Sequence, residues 1–410
     1  MFRALRHRDY RLFWMGQTIS QLGGWMQTVG LAWLVLELTD SPFMLGLIFT
    51  LQYAPHLVMS LPAGALADRF PKRKLVLVTN LALALISFTL ALLIHLDQVQ
   101  FWQVALLTGL TGLVSSLEVP ARHSYQIVLV GRHDLMNAVA LNSASFNLAR
   151  IAGPALAGVL IARMGVEPTF FLNALSFVPL IWALLLIRSP GLPEGQHQSV
   201  LTEVKEGLSY AWRTPQVSIP LRLMLVISVC VINHTVLVPL LARDVLQGGP
   251  EAVGWLFAAL GVGALAGGLL VAAEVRQRPA ILSLALTAVL LSVLYAAVAP
   301  VHTLAPAMAL LFLLGFVQIR FTVGCNSILQ VVTPDPLRGR VLSLYSLVFL
   351  GSTPVGSLLS GLVAQTWGVA AAYALGGLVA VMAVLALSPA LQTLGRVRRR
   401  RRSLRVALRG

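Results

Sequence analysis

Gly64-Ala-Leu-Ala-Asp68-Arg69-Phe70-Pro71-Lys72-Arg73-Lys74 sets five charges and a proline between two apolar runs, 43–67 and 75–94. Each run is about as long as the 20 residues a helix needs to cross a bilayer. A short, strongly basic connection between two such runs is the mark of a loop held on one side of a membrane. The rest of the chain repeats the pattern.

The 410 residues are 57% hydrophobic and 11% charged, with a mean hydropathy of +0.82. A soluble domain carries roughly 25% charged residues, and disorder needs low hydrophobicity, so both are excluded. Twelve stretches read as spanning helices: 12–37, 43–67, 75–94, 101–121, 135–162, 169–187, 217–241, 253–273, 280–299, 304–323, 341–364 and 369–387. The run after Met1 is too long for the apolar core of a cleaved signal. Of the 30 Lys and Arg, 25 fall in the N-terminal segment, alternate connections and the tail. The opposite connections hold only Arg163 and Arg243. This asymmetry predicts both termini in the cytoplasm. The net charge of +15 therefore points to anionic lipid, at the basic loops and the tail. The tail, Arg396 to Arg409, lacks the aromatic residues that nucleic-acid binding uses, so no nucleic-acid partner is expected. Cys230 and Cys325 lie in apolar runs and read as packing residues.

The organisation expected is an N-terminal six-helix bundle (1–188), a cytoplasmic linker (189–216), a C-terminal six-helix bundle (217–388) and a basic cytoplasmic tail (389–410). Leu201, Val204, Leu208 and Ala211/Trp212 give the linker an interfacial helix. The halves resemble each other. Gln126-Ile-Val matches Gln330-Val-Val, Gly158-x6-Gly165-Val166 matches Gly361-x6-Gly368-Val369, and Pro154 has a counterpart in Pro354. Two six-helix repeats around a midplane site are the architecture of alternating access. The fold class expected is thus an all-α polytopic membrane protein, with twelve transmembrane helices in two six-helix repeats.

Gly64, Asp68, Arg69, Lys72, Arg73 and Lys74 resemble the signature loop of the major facilitator superfamily. The resemblance, with the six-plus-six pattern, covers nearly the whole chain. It implies that this loop is a cytoplasmic latch. Gly64 would let a neighbouring helix approach, Asp68 would sit at the N-terminus of the eleventh helix, and the basic residues would anchor at headgroups. Pro71 stands where that family usually has Gly, so a left-handed turn there cannot form. Phe2-Arg-x-Leu-x-x-x-Asp9-Tyr10-Arg11-x-Phe13, Glu118-Val-Pro120-Ala-Arg122 and Asn147-Leu-Ala-Arg150-Ile-Ala-Gly153-Pro154-Ala-Leu-Ala-Gly158 together resemble the enterobactin-exporter-like branch. That branch implies efflux of drug-like or siderophore-like molecules by a monomer.

Glu118 and Arg122 are four apart and can pair on one helix face. Arg150 lies deep in the fifth stretch, where a charge is expensive and normally faces a partner or a wet cavity. Glu118 is its expected partner. A network of Glu118, Arg122 and Arg150 is expected either to couple protons to transport or to lock the fourth and fifth helices. Arg320, late in the tenth stretch, would bind an anionic group, stabilise the inner gate or snorkel to the surface. Gly153, Pro154 and Gly158 would kink the fifth helix and pack it closely. Polar candidates for the cavity are Gln17, Gln21 and Gln27 in the first stretch, Gln52 and His56 in the second, Asn142 in the fifth, and Asn233 and His234 in the seventh. Trp25, Trp33 and Tyr53 could stack on a substrate. Glu37 and Asp40 read as solvated.

No histidine has a second one at ligand spacing, so no metal or cofactor is expected. The phosphate-cradling loop of ATPases, Gly-x-Ser-x-Gly and His-Glu-x-x-His do not occur. The reading is a secondary transporter, not an enzyme, that exports small amphipathic molecules by proton antiport. Import of a small metabolite is the alternative; a membrane enzyme or a non-transporting receptor is the alternative of another class.

Overall fold

A computed structural model of the chain describes residues 3–191, 208–273 and 281–387; the side chains at 60–68, 132 and 336 are outside the description. The described residues are helical, with no strand. In chain order the helices are α1 (Arg8–Thr39), α2 (Pro42–Arg69), α3 (Lys72–His95), α4 (Phe101–Gly131), α5 (His133–Met164), α6 (Glu167–Leu186) and α7 (Pro215–Val245). They continue with α8 (Pro250–Ala273), α9 (Ile281–Ala296), α10 (Leu304–Val332), α11 (Asp335–Gly351 and Thr353–Trp367) and α12 (Val369–Ala386). Among the described residues ten of them are long and apolar enough to cross a membrane. The exceptions are α1, whose apolar run is interrupted by Gln17, Gln21 and Gln27, and α9, whose 16 described residues follow an undescribed segment.

Three expectations about element boundaries are corrected. The expected connection at 121–134 is helical, and Phe101–Met164 runs as 64 residues interrupted only where Gly131 leaves the helical region at φ 69°. The backbone of Pro154 stays helical. The seventh span is broken: helix stops at Cys230 and resumes at His234, with Asn233 at φ −116°, ψ 38°. The eleventh span begins at Asp335 and is broken at Ser352. Non-helical backbone at membrane depth survives where protein or a wet cavity satisfies its polar groups.

Repeat-related positions do the same work in both halves. Gly165 (φ 79°) and Gly368 (φ 87°) each end a helix in backbone that side chains disfavour. A Cβ at Gly112 of α4 would stand 2.2 Å from the Gln52 carbonyl of α2; one at Gly315 of α10 would stand 2.0 Å from the Leu260 carbonyl of α8. The same small-residue contact thus packs α2 on α4 and α8 on α10.

The N-terminal segment docks on the α4–α5 kink. The Ala4 N–H donates to Asn137 Oδ1 (2.9 Å), the Tyr10 hydroxyl donates to the Ala138 carbonyl (3.0 Å), and Phe13 meets Tyr125 edge-on. His7 and His133 both contact the Asp134 carboxylate. Asp9 accepts from the Arg188 N–H and the Ser189 hydroxyl at the exit of α6.

Candidate functional site

The face carrying the N-terminus and the α2–α3 connection is here the terminal face, and the opposite one the distal face. Side chains of Gly64 and Asp68 lie outside the described residues, as do 192–207 of the linker and the tail from 388. The rest of the loop can be placed. Helix α2 stops at Arg69, and Pro71 caps α3 at φ −55°. Arg69 and Lys74 are exposed. Headgroup anchoring is corrected for two residues: Lys72 is 1% exposed, and Arg73 donates to the last carbonyls of α6, Leu184 and Leu185. The backbone of Lys72 and Arg73 also holds Gly191 and Pro190, where the linker begins. Of the linker helix, Leu208 and Trp212 are exposed, Ala211 is buried, and the Arg222 guanidinium lies 5.0 Å over the Trp212 ring.

The two halves are tied together near the distal face. A Cβ at Gly46 of α2 would meet the Ser357 carbonyl at 2.6 Å and Gly361 of α11 at 3.0 Å. On the other side, a Cβ at Gly254 of α8 would meet the Pro154 carbonyl of α5 at 2.8 Å, and one at Gly158 would meet Pro250 and Gly254. Polar bridges add to this seam. Arg243 reaches Asp40 (3.0 Å) and the Leu36 carbonyl, and the Ser41 hydroxyl donates to Gln365 (2.8 Å). Nearer the middle, Thr50 donates to the Pro354 carbonyl (3.0 Å). Asp40 is 89% exposed as it pairs with Arg243, and Glu37, also exposed, accepts from the Trp33 ring N–H (2.8 Å).

Between these ties and the terminal face lies a group of polar side chains with atoms that have no hydrogen-bond partner among the described residues. Gln21 donates to Asn142 at 3.4 Å, joining α1 to α5, while its own carbonyl oxygen and that of Gln17 have no partner. On α2, Gln52 Oε1 is unpartnered, and His56 faces Ser115 of α4 at 3.4 Å with Nδ1 free of partners. At the α7 break Asn233 donates to the Val229 carbonyl, leaving Oδ1 unpartnered. His234 Nε2 bonds Gln318 of α10 (2.8 Å), leaving Nδ1 unpartnered. Arg150 Nε and Nη2 are buried without a partner among the described residues, and its charge is within electrostatic range of His234.

The expected Glu118–Arg150 pair is corrected. Glu118, 7% exposed, is engaged by Arg122 at 3.0 and 3.3 Å on its own helix. The i+4 partner lies on the same face one turn away, whereas Arg150 projects from another helix. Two aromatic or polar candidates also move. Gln27 is sequestered in a knot with Ser87 of α3 and Asn173 of α6, and Trp33 sits near the distal face. Trp25 packs edge-on against Phe146, and a Cβ at Gly153 would meet Trp25. Gly153 thus packs α5 on α1, while Gly158 packs it on α8. Tyr53 lies beside His56. Arg320 is half-buried late in α10, and Gln330 is bonded to Asn326.

Residues 1–399 match the model of a family described as transmembrane secretion effector. The chain belongs to the major facilitator superfamily. It is 28% identical over 368 residues to the multidrug efflux pump Tap of Mycolicibacterium fortuitum, covering 86% of this chain and 88% of that one. It is 28% identical over 385 residues to the enterobactin exporter EntS of Escherichia coli O1:K1, covering 93% and 91%. A crystal structure of a POT family transporter in complex with a thioalcohol-conjugated peptide shares the fold, with a TM-score of 0.75 at 12% identity over 94% of this chain and 96% of that one. The chain is a multi-pass membrane transporter, not an enzyme.

Most residues of the seam escaped the sequence reading, Ser41, Thr50 and Gln365 among them. Pro42-x3-Gly46 and Pro250-x3-Gly254 open α2 and α8 with the same motif. Their offset of 208 residues (46 to 254) differs from the 203 that relates Gly158 to Gly361, which hid the match.

Proposed function

We propose that the chain exports small amphipathic molecules, drug-like or siderophore-like, across a cell inner membrane by alternating access, driven by proton antiport. Both termini are cytoplasmic in this reading, so the distal face is the outer one, the seam is a closed outer gate, and the cavity opens inward. The observation that carries the reading is the placement of unsatisfied polar groups from α1, α2, α5 and α7 behind that seam. Such groups are costly in a membrane interior unless water or a substrate reaches them. The efflux names of the relatives favour the outward direction.

Glu118 is the proton carrier in this account. Protonation removes its charge and releases Arg122, and the freed guanidinium biases the halves toward the other arrangement. Gly64, Asp68, Arg69, Lys72, Arg73 and Lys74 form the inner latch. Gly153, Pro154 and Gly158 hold α5 against α1 and α8. Anionic lipids meet the exposed basic residues and the tail, and the protein acts as a monomer.

The test is accumulation of a panel of cationic dyes, catechol siderophores and antibiotics in inside-out vesicles, with and without an imposed pH gradient. The account expects gradient-dependent filling that Glu118→Gln abolishes while exchange persists. Folded wild-type protein that fills no vesicle with any compound, or filling indifferent to Glu118→Gln, contradicts proton-coupled export through this residue.

A further inference from the structure

Of the 11 Asp and Glu among the described residues, Glu118 alone lies deep within a span; the others lie at helix ends or in connections. Glu118 is already held by Arg122. Arg150 is consequently an interior cation to which the described residues supply no counter-charge. The unsatisfied atoms of its guanidinium are Nε and Nη2. These two N–H groups lie along one edge of the planar guanidinium, spaced as the two oxygens of a carboxylate are. The next residue, Ile151, and Pro154 one turn on lie against Gly261 and Gly254 of α8, so the backbone that aims Arg150 is fixed by the seam. At the α7 break, His234 is within electrostatic range of Arg150; its Nε2 is tied to Gln318 and its Nδ1 has no partner among the described residues.

We propose that Arg150 is the recognition point for a carboxylate on the transported molecule, taken two-pronged on its Nε/Nη2 edge. His234 contacts the polar part of the molecule beside that carboxylate. This rests on the transporter reading above and narrows its substrates to amphipathic organic acids. An acid satisfies the site in a way a cationic or neutral amphiphile cannot, because only it neutralises a charge that the described residues leave without a counter-charge.

The experiment compares naphthoxyacetate with its neutral analogue naphthoxyacetamide. Binding is read by ligand-dependent thermal stabilisation of the purified full-length protein, and transport by inside-out vesicles. Wild type is expected to bind the acid and to prefer it to the amide by about tenfold or more, the scale of a charge-assisted pair of hydrogen bonds. Arg150→Gln is expected to lose that preference. Arg150→Lys is expected to keep only part of it, because an ammonium does not present two parallel donors. Ligand-free variants that unfold no earlier than wild type, together with retained binding of the amide, separate recognition from a packing role. The proposal is overturned if wild type does not distinguish acid from amide, including by binding neither, or if Arg150→Gln binds the acid as wild type does. Export of cationic dyes by wild type without acid recognition leaves the transporter reading standing and removes this one. Acid binding without transport does the reverse.

Discussion

A carboxylate and a guanidinium removed from water together cost little only if they satisfy each other, and Glu118 and Arg122 do so on one face of α4. Removing either partner leaves a buried charge, at a cost of about 3–5 kcal/mol. Glu118→Gln and Arg122→Gln are each expected to lower stability, and the double replacement to recover most of the loss. A thermal-unfolding cycle over the three variants checks this. A pure helix lock predicts that transport recovers with stability in the double variant. A coupling role predicts stable protein with no gradient-driven transport. The pairing itself was legible as an i, i+4 spacing, but the stronger expectation of a Glu118–Arg150 contact was not met. Sequence gives depth along a helix, and the azimuth that decides which neighbour a side chain meets comes from packing. The same limit misplaced Gln27, which faces α3 and α6 instead of the cavity.

Helix existence followed from apolar length, and the structure keeps all twelve stretches in order. What the pattern could not carry is where helices fail to stop or stop early. The α4–α5 boundary carries Arg132, His133 and Asp134, which read as a loop, yet helix runs up to both sides of Gly131. The break at Val231–Asn233 falls inside an otherwise apolar stretch, marked only by Asn233 and His234, and the partner that holds His234 there, Gln318, comes from another helix. Gly165 and Gly368 were legible as a repeated pair, and their shared positive φ explains the repeat. Both lie in backbone that only glycine adopts freely. Gly165→Ala and Gly368→Ala should each cost about 1–3 kcal/mol, although nothing stands within 4 Å of the added Cβ. Thermal unfolding of the two variants checks this; an unchanged midpoint in either would mean that the turn rearranges freely.

For the whole molecule, the six-plus-six organisation and the charge asymmetry were readable because hydropathy and the placement of Lys and Arg are additive along the chain. The seam was not, because it joins residues some three hundred positions apart, as Ser41 and Gln365 are. The seam also accounts for Arg243, one of the two basic residues on the otherwise charge-poor face. In the proposed orientation, Arg243→Gln should loosen the closed outer gate and raise labelling of a cysteine at Gln21, half-buried behind the seam, by membrane-impermeant maleimide from outside; unchanged labelling would assign the gate to the glycine contacts alone. If the chain works by alternating access, the Ser41–Gln365 bridge must break in every cycle. The most direct measurement therefore joins that pair covalently, as Ser41→Cys with Gln365→Cys, and follows vesicle filling before cross-linking, after it, and after reduction. The account predicts transport that stops on cross-linking and returns on reduction. Transport that continues at full rate with the pair joined would contradict it.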